Sequence, residues 1–150
     1  MLVALLVMFA VALTTIAIHY EAFRIISDWI IPNLADIHRL RVGVVVFGCF
    51  CAHVVEIMMF AVVLYLTANQ IDLGNLEGQS EITFEDYFYV AIESYTTLGL
   101  GDITPTGYIR VLTGFEGLLG LIMITWSASF TFLEMQRLWE DREDVGPNGS

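Results

Sequence analysis

The sequence contains no lysine, and its six basic residues are all arginines, set against 17 acidic residues. The formal net charge of -11 leaves no basic patch for a phosphate backbone, so we expect no nucleic-acid partner. No nucleophile–base pair or metal cluster can be read from the chain, so we expect neither an enzyme nor an enzymatic cofactor. The only two cysteines, Cys49 and Cys51, would point to different faces of one helix, which argues against a disulfide or a metal pair.

Apolar residues are abundant instead, at 57% of the chain, and they are concentrated in three long runs. These runs cover residues 2–18, 42–68 and 111–133, and a helix of roughly 20 apolar residues crosses a bilayer. No basic residue precedes the first run and no small-residue cleavage site follows it, so it is interpreted as a retained helix. The composition predicts an all-α membrane protein with three transmembrane helices.

The arginines predict how the chain is oriented in the membrane. Arg24, Arg39 and Arg41 lie between the first and second runs, and Arg137 and Arg142 follow the third. Because positive charge is retained on the cytoplasmic side, we expect segment 19–41 and the C-terminus in the cytoplasm. The N-terminus and segment 69–110 would then face outward from the cell membrane.

The segment 19–41 mixes apolar and charged residues. Phe23, Ile26, Trp29 and Ile30 recur at helical spacing, which predicts an amphipathic helix lying on the inner membrane surface and ending at Pro32. A packed linker helix without lipid contact is the alternative. The expected organisation is an N-terminal region (1–41), a pore domain (42–136) and a short polar tail (137–150).

A short helix is predicted in the outer segment. Thr83 followed by Asp86 resembles a capping box, so a helix should begin near Phe84 and end near Thr96. At about 13 residues, or ~20 Å, it is too short to span the membrane. Non-helical backbone at membrane depth is tolerated where it lines a watery path, so helix and following loop indicate a re-entrant element.

The loop after this helix reads "TTLGLGD", with Gly99 and Gly101 two positions apart. Successive carbonyls can point the same way if left- and right-handed backbone conformations alternate, and glycine adopts left-handed values at little cost. Thr97 would add a hydroxyl at the inner end of this row. The carbonyls could then replace the water shell of a cation, and the negative end of the preceding helix would favour one nearby.

These residues resemble the potassium-channel signature TVGYGD. A short helix precedes the motif, Pro105 follows it, and a glycine-bearing apolar helix begins after Arg110. The resemblance covers about residues 42–133 and is to the prokaryotic pore-only branch of the potassium-channel family. It implies a homotetramer in membrane lipid that conducts monovalent cations, with K⁺ in the filter. The ion-binding carbonyls would belong to Thr97, Leu98, Gly99 and Leu100, with Gly101 completing the filter.

The resemblance also implies roles for residues around the filter. Glu93, with Thr96 beside it, would support the filter and share a proton or water with Asp102, since two close acids should not both ionise. The alternative for Glu93 is a surface acid.

Gly120 would lie where the inner helix bends on opening. The alternative is close helix packing, for which Gly114 and Gly117 are also available.

Leu100 departs from the family pattern, which has Tyr or Phe at this position. The loss of a ring behind the filter could weaken discrimination of potassium from sodium, unless Tyr87, Phe88, Tyr89 and Tyr95 pack around the leucine. A non-selective or sodium-permeable channel is therefore one alternative. An electrically silent membrane subunit of another channel or transporter is an alternative of a different class.

Three ionisable residues fall inside the apolar runs. His53 and Glu56 share one helix face, and Glu116 lies in the outer part of the third run. The pair could sense protons or could be a neutral hydrogen-bonded pair that holds helices together. Two ligands are too few for a metal site. Acids of the outer segment would concentrate cations at the mouth: Asp72, Glu77, Glu81, Glu85 and Asp86.

Overall fold

The structure, a computed structural model, describes residues 1–34 and 38–144 and is almost entirely helical. Helix α1 (Leu2–Ile25) continues into a π-helical turn (Ile26–Ile30) and a 3-10 turn (Ile31–Leu34). The remaining elements are α2 (His38–Asn69), β1 (Leu76–Glu77), α3 (Phe84–Tyr95), β2 (Thr104–Pro105) and α4 (Ile109–Asp144).

Three helical segments are long and apolar enough to cross a membrane: Leu2–Asn33, Leu40–Asn69 and Ile109–Glu140. The predicted all-α membrane fold is confirmed, together with its three spanning helices. Helix α3, at 12 residues, is too short to be a fourth span.

The expected boundary of the first helix at residue 18 is wrong. Helix α1 passes through this point without a break because the segment 19–26 has its own apolar partners. Phe23 stacks on Phe130 of α4 with ring centroids 4.2 Å apart, and Ile26 is buried beside it. Trp29 is 74% exposed. The segment is therefore a packed extension of the first span rather than a separate surface helix.

The third spanning helix, α4, is also longer than expected. Helix α4 continues to Asp144, so the first part of the predicted tail is helical. Glu134 explains part of this, because its carboxylate lies 3.7 Å from Arg41 of α2 and also pairs with Arg137. The Arg41–Glu134 pair links α4 to the start of α2, and the Arg137–Glu134 pair lies within α4.

Helix α3 packs between α2 and α4, and α1 packs against α2 and α4. The Thr83 amide donates to Asp86 Oδ2 at 2.7 Å, which confirms the predicted helix start. The two short strands, one on each side of α3 in the chain, pair antiparallel, with Leu76 opposite Pro105 and Glu77 opposite Thr104. The outer loop is thereby tied to the chain that leaves the "TTLGLGD" loop.

Candidate ion pathway and the polar cluster beside it

Residues 97–101, the candidate filter and below called the filter segment, have an alternating backbone. Thr97 (φ 59°), Gly99 (φ 59°) and Gly101 (φ 81°) are left-handed, whereas Leu98 and Leu100 have negative φ. This is the alternation expected for a row of carbonyls directed to one side. The left-handed conformation of Thr97 was not expected from the sequence, because it costs a threonine roughly 1–2 kcal/mol.

The start of the filter segment is anchored by the end of α3. The Thr97 amide donates to the Ser94 carbonyl at 3.0 Å, and the Leu98 amide donates to the Glu93 carbonyl at 2.9 Å. Within the described chain, no hydrogen bond engages the main-chain carbonyl oxygens of the filter segment. These oxygens therefore remain available to a ligand.

Glu93 lies directly behind the filter segment. Its side chain is 5% exposed, which excludes a surface acid, and its Oε1 accepts a hydrogen bond from the Leu100 amide at 3.1 Å. This bond fixes the backbone at the position where the sequence departs from the family pattern. Thr96, at the end of α3, donates its hydroxyl hydrogen to the Ile92 carbonyl at 2.7 Å.

Asp102 lies at the other end of the filter segment and binds a different partner. The Tyr89 hydroxyl donates to Asp102 Oδ1 at 2.9 Å. The pKa of the Tyr89 phenol is raised, mainly by partial burial and also by the carboxylates of Asp102 and Glu93. The phenol therefore keeps the proton that it donates. Tyr89 thus lies between the two acids, and a proton shared directly by Glu93 and Asp102 stays a prediction.

The aromatic residues of α3 do not enclose Leu100 within one chain. Leu100 is 64% exposed, and Leu98 is 63% exposed. Tyr87 and Tyr95 are buried elsewhere: the Tyr87 hydroxyl donates to Asn75 Oδ1 at 3.2 Å, and the Tyr95 hydroxyl donates to Glu56. Packing of these rings around Leu100 is therefore not achieved by a single chain.

Two glycines of α4 allow close contact with the end of α3. A Cβ atom at Gly120 would overlap the main-chain carbonyl of Tyr95, and one at Gly117 would lie 3.0 Å from the Ser94 carbonyl oxygen. Close packing is therefore confirmed at Gly120, through which α4 runs without interruption. A hinge at this residue stays a prediction.

His53 and Glu56 belong to a larger polar cluster with His19, Tyr95 and Ser127. His19 Nδ1 lies 2.8 Å from Glu56 Oε1, while the Tyr95 hydroxyl donates to Glu56 Oε2. Tyr95 also lies 2.8 Å from His53 Nδ1. Ser127 Oγ lies 3.1 Å from His19 Nε2 and 3.0 Å from His53 Nε2. The cluster therefore joins all four α-helices.

The hydrogens of this polar cluster can be counted. Five contacts join its members, and each needs one hydrogen. Tyr95, Ser127 and two neutral imidazoles supply four, so the fifth belongs to a protonated Glu56 or makes one imidazole cationic. Either form is neutral overall, which suits a buried site. The His53–Glu56 pair expected from the sequence is not directly hydrogen-bonded: the two side chains are 3.5 Å apart and are joined through Tyr95. Proton sensing stays a prediction.

Sequence reasoning missed three members of the cluster. The sequence places His19 in the segment 19–41, predicted as a surface helix or a packed linker, because the apolar run stops at residue 18. It offers Tyr95 only as a ring near the filter and gives no role to Ser127. The available signal was position: His19 and Ser127 lie near the middle of their spans, as His53 and Glu56 do. Polar groups at that depth need partners, so several of them at one depth indicate a shared cluster.

Glu116 differs from the cluster because neither of its carboxyl oxygens has a hydrogen-bond partner among the described residues. Its side chain is nevertheless fully buried in α4. An unpartnered buried carboxyl is destabilising, typically by about 1–3 kcal/mol.

Comparison with known proteins identifies the class to which this pore-like arrangement belongs. A family model described as "Ion channel" matches residues 42–137, which cover most of α2, all of α3 and the filter segment, and most of α4. The chain therefore belongs to this ion channel family, and it is a multi-pass membrane protein. No curated protein and no solved structure gives a significant match. Helix α1, which supplies His19, lies outside the matched region.

Proposed function

We propose that the chain forms a homotetrameric, potassium-selective channel in the cell membrane. Dehydrated K⁺ ions would bind the main-chain carbonyls of Thr97, Leu98, Gly99 and Leu100, with Gly101 and Asp102 at the outer end. The supporting observation is the alternation of φ along the filter segment at the end of a short helix. Rings of carbonyl oxygens can replace the hydration shell of a potassium ion.

Exposure of the filter side chains supports assembly. Leu98 and Leu100 are apolar, yet each exposes about two thirds of its surface in a single chain. Exposed apolar groups in such a position mark an interaction surface. One chain contributes one side of a carbonyl row, so four copies around an axis would complete the cage and cover both leucines.

The proposed orientation places the N-terminus and the α2–α3 loop outside and the C-terminus in the cytoplasm. Asp72, Glu77 and Glu81 of that loop are exposed, as is Glu85 in the first turn of α3. They would raise the local cation concentration at the outer mouth. Asp86, by contrast, is engaged in capping α3.

Ion flux tests the proposal. Purified protein would be reconstituted in liposomes, and currents would be recorded with potassium on one side and sodium on the other. We expect a reversal potential near the potassium equilibrium value. The matched variant is Leu100→Tyr, which restores the ring of the family pattern while leaving the filter glycines intact. Equal selectivity in both proteins would show that the carbonyl row and the Glu93 contact are sufficient.

Two other outcomes would favour the alternatives. A robust current that reverses near zero, corrected by Leu100→Tyr, would identify a non-selective or sodium-permeable pore. The exposure of Leu100 is the observation that favours this second candidate. No current from a folded tetramer would overturn conduction by this chain alone and favour an electrically silent subunit.

A further inference from the structure

Three metal-ligating groups converge where helices α1 and α2 meet. His19, His53 and Glu56 each offer a ligand atom, and these atoms all lie within 4.8 Å of one another. His19 Nδ1 is 2.8 Å from Glu56 Oε1, and His53 Nδ1 is 3.5 Å from Glu56 Oε2. The sequence offered only two of these ligands, and the fold supplies the third from the first span.

Ser127 orients both histidines in the same sense. Its hydroxyl oxygen contacts Nε2 of His19 and Nε2 of His53 at 3.1 and 3.0 Å. When an ion occupies the Nδ1 side of both rings, each ring carries its hydrogen on Nε2, and the two lone pairs of the Ser127 oxygen can accept both. Both Nδ1 atoms then present lone pairs toward Glu56. A hydrogen bond of this kind on the second ring nitrogen is typical of metal-binding histidines.

The spacing of the groups suits one tetrahedral ion. Two imidazoles bound to a single zinc ion at about 2.0–2.1 Å would have ring centroids about 5 Å apart. The centroids of His19 and His53 are 5.2 Å apart. The Tyr95 hydroxyl donates to Glu56 and lies 2.8 Å from His53 Nδ1, so an oxygen is available at the fourth position.

We propose that His19, His53 and Glu56 form a binding site for one divalent transition-metal ion, of which Zn²⁺ is the best fit. Two imidazole nitrogens and one carboxylate match the ligand preferences of zinc and cobalt, and disfavour Ca²⁺ and Mg²⁺. On binding, both rings keep a hydrogen on Nε2, and Tyr95 and Ser127 keep theirs. The fifth hydrogen of the cluster leaves as one proton to water, and Glu56 binds the ion as a carboxylate. Occupancy would clamp α1 to α2 next to the C-terminal end of α3.

Cobalt provides a direct test, because tetrahedral Co²⁺ has visible absorption bands that the hydrated ion lacks. The full chain in detergent would be treated with a chelator, desalted and titrated with Co²⁺, and bound metal would be counted by mass spectrometry. We expect a saturable tetrahedral spectrum at one Co²⁺ per chain, displaced by Zn²⁺. A wild-type protein without this spectrum would overturn the proposal, and no variant is needed for that result.

Variants assign the ligands. Glu56→Gln keeps a hydrogen-bonding side chain of the same shape but removes the anionic ligand, so it should fold and lose the spectrum, as should His19→Gln. The matched control is His38→Gln, which removes the one histidine that is outside the proposed site. His38 lies 15 positions before His53, about 22 Å away along α2. Binding that survives His19→Gln or is lost in His38→Gln would contradict the assignment.

Ser127→Ala tests whether the three ligands form an oriented metal site or are close together by chance. The three ligands remain, but the group that orients both rings is gone, so we expect cobalt affinity to fall by about 10- to 100-fold. An unchanged affinity would contradict the role given to Ser127. The readout is binding rather than ion flux, so it does not depend on potassium conduction.

Discussion

The filter segment and the polar cluster adjoin each other in the chain, since only Thr96 separates Tyr95 from Thr97, yet their polar groups are satisfied in opposite ways. The cluster closes on itself within one chain: each side chain binds another, and helices α1 to α4 each contribute. The filter segment holds main-chain carbonyls without protein partners and exposes two leucines. Side chains that hydrogen-bond to one another stabilise a fold, whereas unpaired backbone groups can bind an ion or another copy of the chain.

This comparison predicts that variants in the two regions fail in different measurements. Changes in the filter segment should reduce flux and leave the thermal stability of the single chain nearly intact. Changes in the cluster or in the packing around it should lower stability first. Both quantities would therefore be measured for every variant below.

The largest effect on flux is expected from Gly99→Ala. Gly99 is left-handed, a conformation that costs an alanine about 1–2 kcal/mol, so residue 99 should relax to a negative φ and the carbonyl alternation should be lost. Potassium flux in liposomes should fall to background, with the melting temperature little changed. Normal flux would contradict the role assigned to this backbone.

The largest effect on stability is expected from Glu56→Leu. It leaves His19 Nδ1 and the Tyr95 hydroxyl buried without their shared partner, at a cost of about 1–3 kcal/mol for each orphaned group. Thermal unfolding in detergent measures the change. The control, Glu21→Leu, removes an exposed acid of α1 that pairs with Arg24, and should cost under about 1 kcal/mol. Equal losses in both variants would count against the cluster.

A smaller loss of stability is expected from Gly120→Ala. The added methyl group overlaps the Tyr95 carbonyl, and overpacking of this kind costs about 1–3 kcal/mol. In Gly43→Ala, the matched control, the new Cβ meets nothing within 4 Å and an exposed helical position gains helix propensity. The melting temperatures of these two variants should therefore shift in opposite directions. If Gly120→Ala alters flux without lowering stability, bending at this residue becomes the better explanation.

The smallest effect, and one of opposite sign, is expected from Glu116→Met. Both carboxyl oxygens are buried without partners in the described chain, so an apolar side chain of similar size should stabilise by about 1 kcal/mol or more. Glu134→Met, at a buried acid that pairs with Arg41 and Arg137, should destabilise. A melting temperature lowered by both variants would indicate that Glu116 has a partner in the assembled protein.

Much of the fold could be predicted because its signals are local. Hydrophobic run length predicted α2 to within four residues at its start and one at its end, and the Thr83–Asp86 pair predicted the start of α3. Glycine spacing gave two of the three left-handed positions of the filter segment. The end of α1 could not be predicted, because residues 19–26 look amphipathic until Trp126 and Phe130 are known to lie opposite them.

The sequence by itself determined the solvent of this protein, the number of its spans and the segment whose backbone departs from a helix at membrane depth, since hydropathy and glycine conformation act over a few residues. Only the tertiary structure decided which polar side chains meet. His19, Glu56, Tyr95 and Ser127 lie on four different helices, and their contacts depend on the packing of those helices at one depth. A buried polar group binds whatever partner the fold places within about 3 Å, which sequence spacing does not specify.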